Sequence, residues 1–141
     1  MKQIAIGCDH AGFELKQKVL EMLKDLEYSV VDFGCYSEQS VDYPDFGHQV
    51  AADVEQNDQK KGIVICGSGN GINMSVNKHS KIRGALCWNA EIASLARQHN
   101  DANILALPAR YLSFEEAKKI INAFLNTSFE GGRHQRRINK I

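Results

Sequence analysis

The fold of this chain follows from one stretch, residues 63–71, which reads Ile-Val-Ile-Cys-Gly-Ser-Gly-Asn-Gly. Its first four residues are apolar without polar alternation, which is typical of a strand buried on both faces. The glycines then open a helix that we expect to run to about Asn77. A buried strand that leads through glycines into a helix is the repeating unit of a parallel α/β sheet.

Four further strands are predicted outside this stretch, each followed by a helix. They cover residues 4–6, 29–33, 84–87 and 103–107. Pro44 is expected at the first position of the second helix, and residues 113–116, Ser-Phe-Glu-Glu, have the form of a capping box. Ile92, Leu95 and Ala96 recur at helical spacing and predict the buried stripe of the fourth helix.

Five such units predict a single-domain α/β fold over residues 1–141, with a basic tail from residue 130. The sheet is expected to be five-stranded, parallel and doubly wound, Rossmann-like or flavodoxin-like, with helices on both faces. In this architecture ligands bind beyond the carboxyl ends of the strands. The residues just after each strand are therefore the candidates for a functional site.

The composition excludes several classes of protein. The 141 residues carry 17 basic and 17 acidic side chains, whereas nucleic-acid and membrane-surface proteins usually have a basic excess. No run approaches the roughly 18 apolar residues of a membrane span, and residues 4–8 are too few for a signal peptide. We therefore expect a cytoplasmic protein whose four cysteines are reduced.

Cys66 and the glycine loop behind it carry the strongest chemical signal. Backbone amides between Gly67 and Gly71 can turn toward an anion. A cysteine near the start of a helix favours the thiolate form and could remove a proton from a carbon next to a carbonyl, while the loop amides hold the enediolate oxygen. The position equally suits a small buried hydrophobic residue.

Two more positions allow a functional and a structural interpretation. Asp9 and His10 follow the first strand at the same edge of the sheet, where either could contact a ligand or only cap the next helix. His99 ends the fourth helix, where it could move protons at neutral pH or pack in the core.

Arginines near the end of the chain suggest a phosphate site. Arg133 and Arg137 are four residues apart and would share one face of a tail helix, while Arg110 follows the fifth strand. Guanidinium groups bind phosphate through paired hydrogen bonds, although a solvated basic tail would look the same. No metal site is predicted, because Cys8 and His10 have no second ligand pair at a recognisable spacing.

Taken together, these motifs resemble the type B ribose-5-phosphate isomerases, a family that also includes galactose-6-phosphate and allose-6-phosphate isomerases. The matching segments are residues 7–12 (Gly-Cys-Asp-His-Ala-Gly), 42–44 (Asp-Tyr-Pro), 66–72 (Cys-Gly-Ser-Gly-Asn-Gly-Ile), 97–103 (Arg-Gln-His-Asn-Asp-Ala-Asn), Arg110 and 130–135 (Glu-Gly-Gly-Arg-His-Gln). They span practically the whole chain in the same order.

The resemblance implies a role for each matching residue. Cys66 would be the base that moves the proton between two sugar carbons, Ser68 would keep a hydroxyl near the reacting oxygens, and His99 would donate the proton that opens the furanose ring. Other members of the family often have threonine in place of Ser68. The anion hole would comprise Gly67, Ser68, Gly69, Asn70 and Gly71; the sugar contacts would be Asp9, His10, Tyr43 and Asn100; the phosphate contacts would be Arg110, Arg133 and Arg137.

The resemblance further implies no metal or organic cofactor, and a homodimer or a dimer of dimers whose sites are shared between subunits. The leading hypothesis is an isomerase of ribose 5-phosphate. A six-carbon sugar phosphate as substrate, and a phosphometabolite-binding module without turnover, are the alternatives. Nucleotide binding is disfavoured, because no acidic residue follows the fourth strand to contact a ribose.

Overall fold

The computed structural model describes residues 2–141, which form one five-stranded sheet in the order β2-β1-β3-β5-β4 with every pair parallel. The strands are β1 (Gln3–Cys8), β2 (Ser29–Asp32), β3 (Lys61–Cys66), β4 (Gly84–Leu86) and β5 (Ile104–Pro108). The helices are α1 (Phe13–Asp25), α2 (Tyr43–Val54), α3 (Asn70–Val76), α4 (Ala90–Asn100), α5 (Phe114–Asn126) and α6 (Arg133–Ile138). The predicted fold class is confirmed.

Helices cover the sheet on both faces, so each strand contributes alternate residues to two cores. Ile63 and Ile65 of β3 pack with α1, α4 and α5. Val64 and Cys66 of the same strand pack with α2 and α3. This double burial is the reason that the strands read as uninterrupted apolar runs in the sequence.

The topology places its switch point at the centre of the sheet, between β1 and β3. From β1 the chain moves to the edge strand β2, and from β3 onward it builds the other side of the sheet. The register puts Cys8 opposite Ile65 and Cys66 opposite Pro108. The carboxyl ends of β1, β3 and β5 therefore lie side by side, at the place where open α/β sheets bind ligands.

Most local predictions hold, with small shifts at the ends of elements. The capping box is present, since Ser113 accepts from the Glu116 amide and the Glu116 carboxylate accepts from the Ser113 amide. Pro44 is the second residue of α2, because Tyr43 already has helical geometry. None of the helices in the described part of the chain is long and apolar enough to cross a membrane.

The predicted buried stripe of α4 is wrong in part. Ile92 is 45% exposed, whereas Ala93, Ala96 and Arg97 are buried. Arg97 can enter the interior because its guanidinium donates to the carbonyl of Ala102 at 2.6 Å and to other oxygens nearby. A sequence stripe of apolar residues cannot anticipate an arginine whose hydrogen bonds are all made inside the protein.

Candidate active site

Cys66 is the last residue of β3 and lies at the switch point. Its side chain faces the core formed with α2 and α3, and the residue is 5% exposed. The helix α3 begins at Asn70, so three loop residues separate the thiol from the first helical residue. The chain therefore places Cys66 behind the glycine loop rather than directly on the end of the helix.

The loop is shaped by glycine at a position that admits no other side chain. Gly69 has φ +77°, and a Cβ there would lie 2.5 Å from Leu86 Cδ1. The backbone amides of Ser68 and Gly69 donate to no acceptor within residues 2–141. The Ser68 hydroxyl accepts from the Asn70 amide at 3.3 Å and from its side-chain nitrogen at 3.2 Å. Open amides in such a turn are suited to bind an anion.

Asp9 and His10 follow β1, directly beside this loop. The Asp9 carboxylate accepts from the amides of Ala11 at 3.0 Å and Gly12 at 3.2 Å, so it caps the turn after β1, one of the two interpretations that the sequence left open. His10 Nδ1 accepts from the Val41 amide at 3.2 Å, which puts the proton of a neutral ring on Nε2. His10 thereby fixes the loop before α2 at the edge of the site.

Two more predicted residues close the site from other elements. The Tyr43 ring packs directly against Gly71 at the end of the loop. A Cβ added to Gly71 would lie 2.8 Å from the Tyr43 hydroxyl, which leaves room only for glycine at this contact. The Arg110 amide donates to the Gly67 carbonyl at 3.0 Å, and its guanidinium passes close to Gly67. We call this group the carboxyl-edge cluster: Asp9, His10, Tyr43, Cys66, Gly67, Ser68, Gly69, Asn70, Gly71 and Arg110.

The remaining predicted residues lie elsewhere, at the amino ends of β4 and β5. The Asn100 carbonyl accepts from Arg83, the residue before β4, at 2.7 Å. His99 stacks on His134 of α6, with the ring centres 4.4 Å apart and the planes at 13°. Because β5 is five residues long, the end of α4 lies about 13 Å along the strand from the carboxyl edge, and Arg133 and Arg137 lie on α6, which packs on α4. We call them the α4–α6 cluster: His99, Asn100, Arg133 and Arg137.

His134 received no role from the sequence, yet it is buried beside the α4–α6 cluster, against His99. Its Nε2 lies 3.4 Å from the Glu130 carboxylate. Burial, helped by the positive charge of Arg133, lowers the pKa of His134 and favours the neutral ring. Only the packing of α6 on α4 reveals this contact, since His134 and His99 are far apart in the sequence.

Residues 2–141 contain one group of metal-ligand type that sequence spacing did not predict. Ligand atoms of His99, Glu130 and His134 lie within 4.8 Å of one another. However, stacked imidazoles hold their in-plane lone pairs nearly parallel, and a shared metal needs lone pairs that converge. This arrangement is better suited to stacking, in which the His134 ring holds the orientation of the His99 ring, than to binding of a metal ion by both.

Two other cysteines, Cys8 and Cys87, have surroundings that suppress thiolate formation. Cys8 ends β1, and its sulfur lies 3.9 Å from the sulfur of Cys35. Burial and the neighbouring Cys35 raise the pKa of Cys8, and burial raises the pKa of Cys87 to about 12. Cys8 and Cys87 therefore act as packing residues.

The fold and the carboxyl-edge cluster together define a class of protein: a parallel α/β protein that holds a thiol beside a glycine loop with open backbone amides. A family model described as Ribose/Galactose Isomerase matches residues 4–141. The chain belongs to this family, and the predicted resemblance is confirmed.

Individual relatives agree with this assignment over almost their whole length. Ribose-5-phosphate isomerase B of Escherichia coli K12 is 44% identical, with 100% of this chain and 95% of that protein covered. The Thermotoga maritima ribose 5-phosphate isomerase structure is 48% identical with a TM-score of 0.96, covering 99% and 96%. The Mycoplasma genitalium enzyme, solved with bound ribulose-5-phosphate, is 46% identical with a TM-score of 0.95, covering 98% and 92%.

Proposed function

We propose that this protein interconverts ribose 5-phosphate and ribulose 5-phosphate. The observation that carries the proposal is the Cys66 thiol at the switch point, beside loop amides that have no acceptor in the described chain. The relatives named for the same reaction support it. The reaction would serve the non-oxidative branch of the pentose phosphate pathway in the cytoplasm.

In the proposed mechanism Cys66 acts as the base. His99 donates a proton to the ring oxygen O4 as the C1–O4 bond breaks, and the C1 hydroxyl releases its proton to solvent, which gives the open aldehyde. The Cys66 thiolate then takes the proton from C2, the electron pair of that bond forms a C1–C2 double bond, and the negative charge moves to O1. Return of that proton from Cys66 to C1, and transfer of the O2 proton to O1 as the C2–O2 double bond forms, give the ketose. The charge that develops is stabilised by the loop amides, which need no reorganisation at that moment.

Substrate binding divides between the two clusters. Arg110 would hold the phosphate together with Arg133 and Arg137, whose side chains are exposed and share α6. The sugar hydroxyls would contact Asp9, His10, Tyr43 and Asn100. No cofactor takes part in this mechanism.

The separation of the clusters implies that two copies of the chain build each site. His99 and Cys66 act on the same sugar in this mechanism, yet about 13 Å of β5 separates their ends of the sheet. A two-fold dimer can place the α4–α6 cluster of one copy over the carboxyl-edge cluster of the other. We therefore propose a homodimer, alone or within a dimer of dimers, with two shared sites.

The substrate is tested by assaying the purified protein with ribose 5-phosphate and allose 6-phosphate in the presence of a chelator. We expect ribulose 5-phosphate to form, with a kcat/KM for the five-carbon sugar that exceeds the six-carbon value. The reverse preference would make the protein a six-carbon isomerase. Tight binding of both sugars without turnover would identify a binding module and contradict the proposed reaction.

The shared site is tested by a hybrid of Cys66→Ala and His99→Ala chains. The two variants are co-expressed with different tags, and the hybrid is isolated through both tags. One of its two sites keeps both residues, so we expect about half the parent activity, while each variant alone is nearly inactive. A doubly tagged Cys66→Ala assembly is the matched control.

A hybrid as inactive as the Cys66→Ala and His99→Ala proteins alone would contradict the shared site. Failure to recover any doubly tagged assembly would contradict the dimer. In either case a conversion assay that still detects ribulose 5-phosphate with the parent protein would leave the proposed reaction standing.

A further inference from the structure

A cavity of about 660 Å³ lies at the amino ends of β1 and β3, against the segment that follows α5. This is the opposite end of the sheet from Cys66, since β3 is six residues and about 17 Å long. Its volume is in the range of roughly 300–1,000 Å³ that small-molecule sites occupy. The cavity belongs to neither cluster of the proposed active site.

The charge of the cavity wall is one-sided. Four cationic side chains line it, and none of its lining residues is acidic. The four are Lys2, Lys60, Lys61 and Arg97. The protein as a whole has equal numbers of basic and acidic residues, so this wall is a local concentration of positive charge. Such a wall attracts anions into the cavity.

Two of these cations already have partners behind the wall. Lys60 Nζ lies 2.6 Å from an Asp53 carboxylate oxygen, and Arg97 lies 2.8 Å from an Asp101 oxygen. Lys2 and Lys61 have no carboxylate within 4.0 Å among residues 2–141. The cavity therefore holds two positive charges without a matching carboxylate.

Lys61 is the more constrained of the two. It is the first residue of β3, is paired in register with Ile4, and is only partly exposed. Burial, and then the nearby charge of Arg97, lower the pKa of Lys61. Asp101 offsets part of this effect but is no direct ion-pair partner of Lys61, so a partly buried ammonium beside another cation remains costly, and an anion in the cavity would lower that cost.

The carboxyl end of α5 brings a partial negative charge to the cavity, but this charge is too small to balance the cationic side chains. A helix C-terminus contributes about half a negative charge, and here side chains already cover part of it. Asn126 donates to the Asn122 carbonyl at 2.9 Å, and Thr127 donates to the Ala123 carbonyl at 2.6 Å. The cationic wall remains the dominant feature.

We propose that this cavity is a second anion site, which binds a small dianion such as a phosphate monoester between Lys61 and Lys2. Arg97 adds positive charge from the side, and the Ser128 hydroxyl and the Gln59 amide are further donors that line the space. The site does not depend on the isomerase reaction, since no residue proposed for that reaction lines the cavity.

The test is a titration of the 15N-labelled protein with inorganic phosphate, followed by amide chemical shifts. We expect saturable shifts at Lys61 and Ser128, with a dissociation constant distinct from that of phosphate at Arg110, the proposed phosphate contact whose guanidinium passes close to Gly67; shifts in the adjacent loop Gly67–Gly71 report that second event, the loop event. Lys61→Gln should weaken the first event by about tenfold, the loss of a charge-assisted contact, and leave the loop event unchanged. Lys18→Gln, an equal charge change on α1, is the matched control and should alter neither.

Lys61→Arg keeps the charge and should keep the binding, which separates loss of the site from loss of the fold. Absence of shifts near Lys61 at phosphate concentrations that saturate the loop would overturn the proposal. Equal shifts with chloride, or shifts unchanged in Lys61→Gln, would overturn it as well. The loop event reports on the proposed active site independently, so failure of one does not imply failure of the other.

Discussion

The ends of β1 and β3 are neighbouring turns built on the same plan but left in different states. Each strand ends in a buried cysteine. In each turn a side chain accepts a hydrogen bond from the backbone amide two residues further along the chain. After β1 that side chain is the Asp9 carboxylate, which also accepts from Gly12. After β3 it is the Ser68 hydroxyl, and the amides of Ser68 and Gly69 stay open.

The difference shows how one fold places a turn with its own acceptor beside a turn with open donors. The β1 turn supplies its own negative charge, so it needs none from a ligand. The β3 turn is neutral and has donors to spare, so it can take the charge that develops on a substrate. The cysteines follow the same division, because the Cys8 sulfur rests against Cys35 whereas Cys66 stands behind the open loop.

The largest effect, on activity, is expected when the β3 turn receives a carboxylate like the one in the β1 turn. Ser68→Asp would place a carboxylate on the loop, where it would occupy the amides and repel the enediolate. We expect kcat/KM for ribose 5-phosphate to fall at least about 10³-fold, more than the loss of a single oxyanion donor. Steady-state assays of ribulose 5-phosphate formation measure it.

Ser68→Thr is the matched control for this change, because threonine keeps the hydroxyl. It should stay within about tenfold of the parent, since the hydrogen bond from Asn70 is preserved. A Ser68→Asp enzyme with near-parent activity and an unchanged urea midpoint would show that the loop amides do not hold the developing charge.

A smaller effect, on stability, is expected when the β1 turn loses its own acceptor. Asp9→Ala leaves the amides of Ala11 and Gly12 without their acceptor and should lower the free energy of unfolding by about 1 kcal/mol. Asp9→Ser keeps a shorter acceptor and should recover part of that loss. Urea denaturation of both variants measures it, and equal stability of Asp9→Ala and the parent would contradict the capping role.

The fold could be predicted from the sequence because double burial leaves a direct trace. Residues 63–66 are apolar at every position, and the glycines after them mark the turn. The order of β4 and β5 leaves no such trace, because pairing of distant strands depends on the whole packed sheet. The burial of the Arg97 side chain could not be predicted from the sequence either, because the hydrogen bonds that stabilise it form only in the folded chain.

The carboxyl-edge cluster was foreseeable because the ends of parallel strands meet at one edge. The distance of His99 from that edge was also readable: a helix that follows a strand runs back, so its last residues lie at the opposite end. His134 could not be found this way, because its contact with His99 arises between α6 and α4. The cationic cavity likewise gathers residues from separate segments of the chain.

In the proposed mechanism the cysteine after β3, and not the one after β1, moves the proton. The most direct measurement is loss of the C2 hydrogen signal of ribose 5-phosphate in D2O, followed by NMR with the parent, Cys66→Ala and Cys8→Ala. We predict that the parent and Cys8→Ala exchange this hydrogen, whereas Cys66→Ala, still folded, is slower by about 10²–10⁴-fold. Exchange by Cys66→Ala at the parent rate would contradict the account.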